Sequence, residues 1–430
     1  MKPKRWGLIS LLVIWLVGGC GVWPAEPVES PLPTLTLETT VAPAPTPTAT
    51  PASRLLTLTV WVPDFLNPYD AETGAGRLNA QLAAFTATHP DIQVQLIVKK
   101  AQGTGGLYHM LSTAYEAAPS VLPDLILLGQ DDLRTAAEEG FILPMDDYLT
   151  LAEDYFPFAR ETSLVYSETF GIPLLVTADQ MVYRGDIAAT PPLSWTGVLT
   201  TNTSLLLPAA PANQLADDAL LAMYLGAGGT IVDEQGQPTL DRNVLENLYR
   251  FFAAMVEDRL INPDQVLQLS DAAACWERYQ EGQGRMSAVP AGSYWIEPPR
   301  DSRPAWVPTP EGRPIALARV WSVGLVAQDA RRQEAAMELA QWLTVASRSA
   351  ELNRALTMVP PRADALAFWG LLPEEKEFLQ IWLEAAVPNP HPRIDGSVRE
   401  ALQSGLRVLL EGNVPTPEAA ASHALTNLRQ

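Results

Sequence analysis

The fold of this chain is decided by the stretch FGIPLLVTADQMVYRGDIAATPPLSW, residues Phe170–Trp195. An apolar run ends at Val176, a polar patch follows from Thr177 to Gln180, and a second apolar segment ends at Tyr183. The Gly and Pro at the start of the run are typical of the start of a strand. We interpret the stretch as a strand, a polar interruption and the start of a second strand. A chain that passes from one lobe to another across a cleft has this form, and a buried strand followed by a surface turn is the alternative.

Length and composition indicate an ordinary globular protein of two or three domains. The chain has 430 residues, of which 47% are hydrophobic and 18% are charged, and one core rarely serves a chain of this length. The formal net charge is −20. Nucleic acid and anionic lipid are bound by clustered Lys and Arg, and we find such a cluster only within the first five residues. We therefore expect neither nucleic-acid binding nor peripheral attachment to anionic lipid.

The start of the chain is predicted to be an export signal, residues 1–19. A positive region with Lys2, Lys4 and Arg5 precedes a short apolar segment that is too short to span a membrane as a stable helix. The segment ends in LVGGC at Cys20, which resembles the lipobox of bacterial lipoproteins. We expect Cys20 to be lipidated, with a plain secretory signal as the alternative. Cys275 then has no partner for an internal disulfide.

Residues 20–53 are predicted to be the lipidated Cys and a tether. The run is rich in Pro and Thr and has no apolar periodicity, so it cannot bury enough surface to fold. A lipid at one end and a globular region at the other predict an exported protein that is anchored to the outer face of the cell membrane.

Strands and helices alternate in the first part of the globular region. In chain order, the strand runs and helical runs lie at 55–62, 78–87, 91–98, 107–117 and 123–129. This alternation predicts parallel pairing and a doubly wound α/β lobe. Ligands of such sheets bind beyond the carboxyl ends of the strands, so Asp64, Gln130 and Asp131 are predicted to open onto one edge. N-capping of the next helix is the alternative for Asp131 and Asp132.

A second strand pattern, Ile315–Ala327, matches the first one after a helix-rich region. It holds Arg319 and Trp321 inside an otherwise buried pattern. A buried guanidinium needs an acidic partner or a ligand. We predict that this strand is the return crossing and that Arg319 contacts a solute, with an interlobe salt bridge as the alternative.

The order of these signals resembles the family 1 extracellular solute-binding proteins, the receptors of ABC importers that include maltose-binding protein. The residues that carry the resemblance, besides the lipobox, are Val60-Trp61, Pro123-Asp124, Phe141, Leu143-Pro144-Met145, Tyr166, Gly171-Ile172-Pro173, Val182-Tyr183, Pro191-Pro192, Trp195, Gly228-Gly229, Gly282, Met286, Gly292, Trp295, Pro360-Pro361-Arg362 and Thr416-Pro417-Glu418-Ala419-Ala420. They extend over roughly Leu55 to Leu428.

The resemblance implies an α/β protein with two doubly wound lobes joined by crossing strands, as in type II periplasmic-binding proteins. The first lobe would hold residues 54–176 and 322–362, and the second would hold 177–321 and 363–430 with the crossing strands. It also implies a monomeric receptor that binds a solute, most simply a carbohydrate, between the lobes and delivers it to permease subunits. Presentation of the ligand to a membrane sensor is the alternative.

Sugars bind proteins through ring faces laid on aromatic side chains and through hydroxyls paired with carboxylates, amides and guanidinium groups. By resemblance, Tyr294 or Trp295 is the cleft aromatic and Asn213 lies in a contact region. Trp321 is a further stacking candidate, with core packing as the alternative. The full set of predicted ligand-binding residues is Asp64, Gln130, Asp131, Thr177, Asp179, Asn213, Tyr294, Trp295, Arg319 and Trp321.

Catalysis finds little support in the sequence. The four His residues are too scattered for a metal constellation, and no G-x-S-x-G elbow or phosphate loop occurs. An extracellular carbohydrate-active hydrolase remains the catalytic alternative, because two carboxylates can meet from distant parts of a chain. We expect no enzyme activity, no metal and no cofactor.

Overall fold

The computed structural model describes residues 55–68, 74–187, 191–210 and 213–429. The predicted signal peptide, Cys20 and the tether lie outside the described residues, so the structure does not bear on them.

Eleven strands and fifteen helices make up the described part of the chain. The strands are β1 (Leu56–Pro63), β2 (Ile92–Lys99), β3 (Leu125–Gly129), β4 (Leu164–Val165), β5 (Glu168–Thr169), β6 (Ile172–Arg184), β7 (Leu205–Leu206), β8 (Met286–Pro290), β9 (Ser302–Ala305), β10 (Ala316–Leu325) and β11 (Ala386–Pro388). The helices are α1 (Ala75–Thr88), α2 (Leu107–Ala117), α3 (Gln130–Glu138), α4 (Pro157–Ser163), α5 (Trp195–Thr200), α6 (Asp218–Gly226), α7 (Arg242–Glu257), α8 (Pro263–Val266), α9 (Ala272–Gln280), α10 (Ala291–Ile296), α11 (Ala330–Thr344), α12 (Ala346–Ala355), α13 (Pro373–Glu384), α14 (Pro392–Leu410) and α15 (Pro417–Asn427).

Most strands of the described chain join one mixed sheet in the order β2-β1-β3-β10-β6-β8-β7. The strand β1 pairs in parallel with β2 and with β3, which confirms the parallel pairing predicted for the first part of the chain. The strand β11 adds to β10, and β9 adds to β6. Strands that alternate with helices in this way give the predicted α/β class.

The strand β6 belongs to both halves of this sheet. Its first part, 172–178, pairs with β10, and its second part, 179–184, pairs with β8 and β9. The predicted polar interruption is therefore wrong, because one strand of 13 residues runs through the patch. The polar residues fit a strand because Thr177 and Asp179 are half-buried and alternate with buried Ala178 and Gln180.

The strand β10 is the second element that the two halves share. It pairs antiparallel with β3 and with β6, and its start pairs in parallel with β11. The register against β6 shifts between Trp321 and Ser322, which pair with Leu175 and Pro173. Leu174 of β6 is therefore the extra residue, as in a β-bulge. The return crossing predicted at Ile315–Ala327 is thus a strand, with bounds one or two residues inside those predicted.

The main core is continuous through the sheet and the helices that cover it. It includes Leu58 of β1, Leu175 of β6, Met286 of β8 and Trp382 of α13, each of which is buried. Burial of a side chain of this kind stabilises the fold by about 1.5–3 kcal/mol. Among the described residues no helix is both long enough and apolar enough to cross a membrane.

Candidate functional site

A cleft of about 830 Å³ lies where β6 and β10 run side by side. The loop after β2 and the start of α3 line it from the first part of the sheet, whereas the starts of α6 and α9 and the first turns of α14 line it from the second part. The volume is within the range of pockets that hold small organic ligands. Five of the predicted site residues line this cleft from a strand or a helix: Gln130, Asp131, Asp179, Arg319 and Trp321.

The start of α3 carries two carboxylates. Gly129 is the N-cap, and Asp131 and Asp132 occupy the first turn. The alternative that these residues cap the helix is therefore wrong, although the positive end of the helix dipole favours acidic side chains there. Burial raises the pKa of Asp131, and burial together with the neighbouring Asp131 raises the pKa of Asp132 to about 6.

Gln130 joins the two sides of the cleft. Its amide nitrogen donates to the Asn389 carbonyl over 2.6 Å, and its amide oxygen accepts from the Val320 backbone N–H over 3.2 Å. Both polar ends of the side chain are therefore occupied by the protein. Gln130 thus fixes the first turn of α3 against β10 and against the segment that precedes α14.

Arg319 forms a bidentate ion pair with Asp218 at the start of α6. Its Nη2 donates to Oδ1 over 2.8 Å, and its Nη1 donates to Oδ2. Asp218 is 5% exposed, whereas the Arg319 side chain is 49% exposed. Arg319 therefore forms a salt bridge, which was the alternative to contact with a solute. About half of its side chain remains exposed at the cleft.

Arg399 is the second cation of the cleft and is buried. It contacts Asp218 Oδ1 over 2.9 Å and donates to the Asp395 carboxylate, to the Asn389 side chain and to the Ala216 carbonyl. Burial alone would raise the pKa of Asp218, but the two guanidinium groups outweigh it and hold this pKa below its ordinary value. Asp218 is therefore an ionised bridge between β10 and α14.

Asp179 of β6 lines the same cleft, and its carboxylate has no hydrogen bond or ion pair among the described residues. Burial raises its pKa well above the ordinary value, and the nearby Asp217 and Asp218 add to the rise while Arg319 opposes it. Asp217 shows the same effect, since burial and Asp218 raise its pKa to about 6. The cleft therefore holds carboxyl groups whose charge the protein only partly compensates.

Trp321 is the aromatic side chain of the cleft lining. Its ring is half-buried and meets the ring of Phe65 edge to face, with centroids 5.0 Å apart. No hydrogen bond of the described residues uses its indole N–H. Trp321 thus combines partial core packing with a ring face and a donor that remain available to a ligand.

Other predicted residues lie outside the cleft lining. Asp64 is exposed at the end of β1, and Thr177 is half-buried on β6. Tyr294 and Trp295 of α10 are buried, and the Trp295 indole donates to Gln180 over 2.8 Å. Their rings therefore face protein, so we leave both out of the candidate site.

Asn213 does line the cleft, but it is exposed and its side chain accepts from the Leu215 backbone N–H over 3.1 Å. Six lining residues on the side of the second part of the sheet were not predicted from the sequence: Asp217, Asp218, Asp271, Asn389, Asp395 and Arg399. Two of these residues carry a recognisable signal, because Asp217 and Asp271 each precede an apolar helical run and cap it. The spacing of Asp395 and Arg399 on one helix face is the other signal.

Among the described residues no group of three or more His, Cys, Asp or Glu side chains is placed to hold a metal ion. Cys275 is a buried free thiol, and burial raises its pKa.

Comparison with known proteins extends this description. No curated protein matches the chain. The solved structure of maltose-bound MalE3 of T. maritima superposes with a TM-score of 0.64 at 19% identity, over 87% of this chain and 99% of that one. The sugar-binding protein MalE of Xanthomonas citri gives 0.65 at 17% identity, over 86% and 96%. The GacH receptor of Streptomyces glaucescens, solved without ligand and with acarbose, gives 0.62 at 17% identity, over 87% and 97%.

At this level of identity the likeness concerns the fold, and it confirms the maltose-binding-protein-like fold that the sequence resemblance implies. The profile of the bacterial extracellular solute-binding protein family matches residues 69–347 of the sequence. The members of this family are binding proteins, in agreement with the expectation that the chain is not an enzyme. The chain therefore belongs to the bacterial extracellular solute-binding proteins.

Proposed function

We propose that this protein captures a saccharide in the cleft over the paired strands β6 and β10 and delivers it to the permease of an ABC importer. The observation that carries the proposal is the position of the cleft. It lies on the two strands that both halves of the sheet share, and its lining comes from both halves.

The chemistry of the lining supports a saccharide. Trp321 offers a ring face, and Gln102, Asn213 and Ser270 offer polar groups beside the charged side chains. Sugars use this combination of a ring face and planar hydrogen-bonding groups. The three solved relatives are a maltose-bound protein, a sugar-binding protein and a receptor solved with acarbose.

Closure is the mechanism that the topology supports. A solute that contacts α3 on one side and α6 and α14 on the other binds the closed form better than the open form. We propose that the lobes comprise 54–176 with 322–362 and 177–321 with 363–430, and that the permease recognises the closed form.

The test is a thermal-shift screen with monosaccharides, oligosaccharides and polyols, followed by solution scattering with each solute that binds. We expect at least one saccharide to raise the melting temperature and to reduce the radius of gyration. Absence of both effects across the panel would refute saccharide capture.

A matched pair of variants tests the site. Trp321→Ala should lose about ten- to hundredfold in affinity for the identified solute, since a lost ring face costs about 1–3 kcal/mol. Trp342→Ala removes a half-buried Trp that packs on Phe85 and Arg348 outside the cleft, and it should keep full affinity. Equal affinity of both variants would exclude Trp321 from the site.

We also propose that the chain is exported and held at the outer face of the membrane by lipid on Cys20. Metabolic labelling with a fatty acid should mark the natural chain but not a Cys20→Ser chain. The variant should also appear in the medium. A labelled Cys20→Ser chain would refute the anchor.

The neighbouring genes distinguish import from presentation of the ligand to a sensor. We expect them to encode two membrane subunits of a permease.

A further inference from the structure

The cleft is much more acidic than the rest of the chain. Seven of its 21 lining residues are Asp and two are Arg, whereas Asp and Glu together account for 49 of the 430 residues. The aspartates come from α3, β6, α6, α14 and the segment before α9. They therefore surround the cavity, and a ligand in the cavity meets negative charge on each side.

The two arginines are already used within the protein. Arg319 is held by Asp218, and Arg399 is shared between Asp218 and Asp395. Neither guanidinium pairs with the other carboxylates of the lining. Five of the seven aspartates of the lining therefore have no ion pair with either arginine of the lining. Among the other neighbouring groups, His391 lowers the pKa of Asp131 against the opposing effect of burial.

Hydrogen-bond acceptors in the cleft also remain unfilled. Asp395 is 8% exposed, and its Oδ1 is a buried oxygen with no hydrogen-bond partner. The Asp179 carboxylate has neither a hydrogen bond nor an ion pair among the described residues. Oδ1 of Asp395 is sealed within the protein, whereas the half-buried Asp179 carboxylate lines the open cleft. Polar groups removed from water are nearly always bonded in folded proteins, so Asp179 indicates a ligand that supplies a donor.

The titration behaviour agrees with this shortage of donors and cations. Burial and neighbouring carboxylates raise the pKa of Asp132 and of Asp217 to about 6. A positive charge in the cleft would favour the ionised forms and lower both values. Binding of a cation would therefore release protons near neutral pH.

We infer that the cleft selects an amino sugar, a saccharide that carries one or more protonated amines. This inference rests on the proposed capture of a saccharide in the same cleft. An ammonium group would donate to Asp179, and the ring would lie on Trp321. The carboxylates are spread around a cavity of about 830 Å³, which suits charges carried on an extended scaffold. A compact metal ion would instead require oxygens that converge on one point.

Calorimetry with one disaccharide scaffold in three forms tests the inference. The forms are the disaccharide of two glucosamine units, its N,N′-diacetyl derivative and cellobiose, all at about pH 6.5 where the amines are protonated. We expect the diamine to bind at least about tenfold more tightly than either neutral form. We also expect its binding enthalpy to depend on the ionisation enthalpy of the buffer, because protons are released.

A charge-removing variant and a control complete the test. Asp179→Asn should lose about tenfold or more in affinity for the diamine, whereas Glu338→Gln, an exposed change on α11, should lose none. Equal or tighter binding of a neutral form would overturn the preference and leave saccharide capture standing. Binding of spermidine or Ca²⁺ alone with the affinity of the diamine would overturn the amino-sugar assignment. Absence of binding by all three sugars would overturn it too, and the wider saccharide panel then decides the proposed function separately.

Discussion

Arg399→Met is predicted to destabilise the protein strongly, because it leaves Asp395 without its cation and Asp218 with Arg319 alone. Arg399 is 4% exposed and bonds to Asp218, Asp395, Asn389 and the Ala216 carbonyl. Removal of one partner from a buried ion pair costs about 3–5 kcal/mol. We therefore expect a loss of about 4 kcal/mol in the free energy of unfolding, equivalent to roughly 5 °C in melting temperature for a chain of this length.

The pH dependence of that loss gives the prediction a second signature. Arg319 and Arg399 hold the pKa of Asp218 below its ordinary value against the opposing effect of burial. A carboxyl with a lowered pKa stabilises the fold above its unfolded pKa, and this contribution is lost as the pH falls through the folded pKa. The difference between the natural chain and Arg399→Met should thus be full at neutral pH and smaller in acid.

The control is Arg407→Met on the same helix. The Arg407 side chain is 56% exposed and pairs with Glu411 one turn later, so the loss should be about 0.5 kcal/mol or less. Urea unfolding of both variants at about pH 7.5 and about pH 4 provides the measurement. Equal losses in the two variants, or a loss in Arg399→Met that does not shrink in acid, would refute the reasoning.

Three further predictions concern stability and reactivity. Burial and Asp218 raise the pKa of Asp217 to about 6, so the unfolded chain ionises this carboxyl at lower pH than the folded protein does, and the fold loses stability as the pH rises from about 4 to about 6. Asp217→Asn should therefore raise the melting temperature at about pH 8 but not at about pH 3.5. A Cβ on Gly292 would lie 1.9 Å from the Thr357 carbonyl oxygen, so Gly292→Ala should cost about 3 kcal/mol in urea unfolding, whereas Gly76→Ala, with open space around it, should not destabilise. Cys275 is buried and its pKa is raised, so iodoacetamide should label it in urea and leave the native protein unlabelled; rapid native labelling would contradict the packing.

The order of elements was predictable because hydrophobic periodicity reports burial directly. The predicted helix at 107–117 and the predicted strand at 91–98 agree with α2 and β2. The polar patch in β6 was misread because a strand on a cleft buries one face and exposes polar groups on the other. Thr177 and Asp179 follow that alternation, so a rule that ends strands at polar residues fails there.

The site was less predictable than the fold. Gln130, Asp131, Asp179, Arg319 and Trp321 follow from their places at strand ends or on crossing strands, and the structure brings them into one cleft. The residues of α6 and α14 that complete the cleft were missed because their neighbours are distant in sequence. Arg399 meets Asp218 across 181 positions of the chain, and no local pattern encodes such a meeting.

The uninterrupted course of β6 has a mechanical consequence. Its backbone is hydrogen-bonded to β10 in one part and to β8 and β9 in the other, so we expect the proposed opening of the cleft to be absorbed as a gradual change of twist along these ladders. Bending of this kind keeps the backbone hydrogen bonds between β6 and its neighbouring strands. The amides of β6 should therefore exchange slowly with deuterium in both the empty and the loaded protein, while amides at the rim of the cleft respond to the solute.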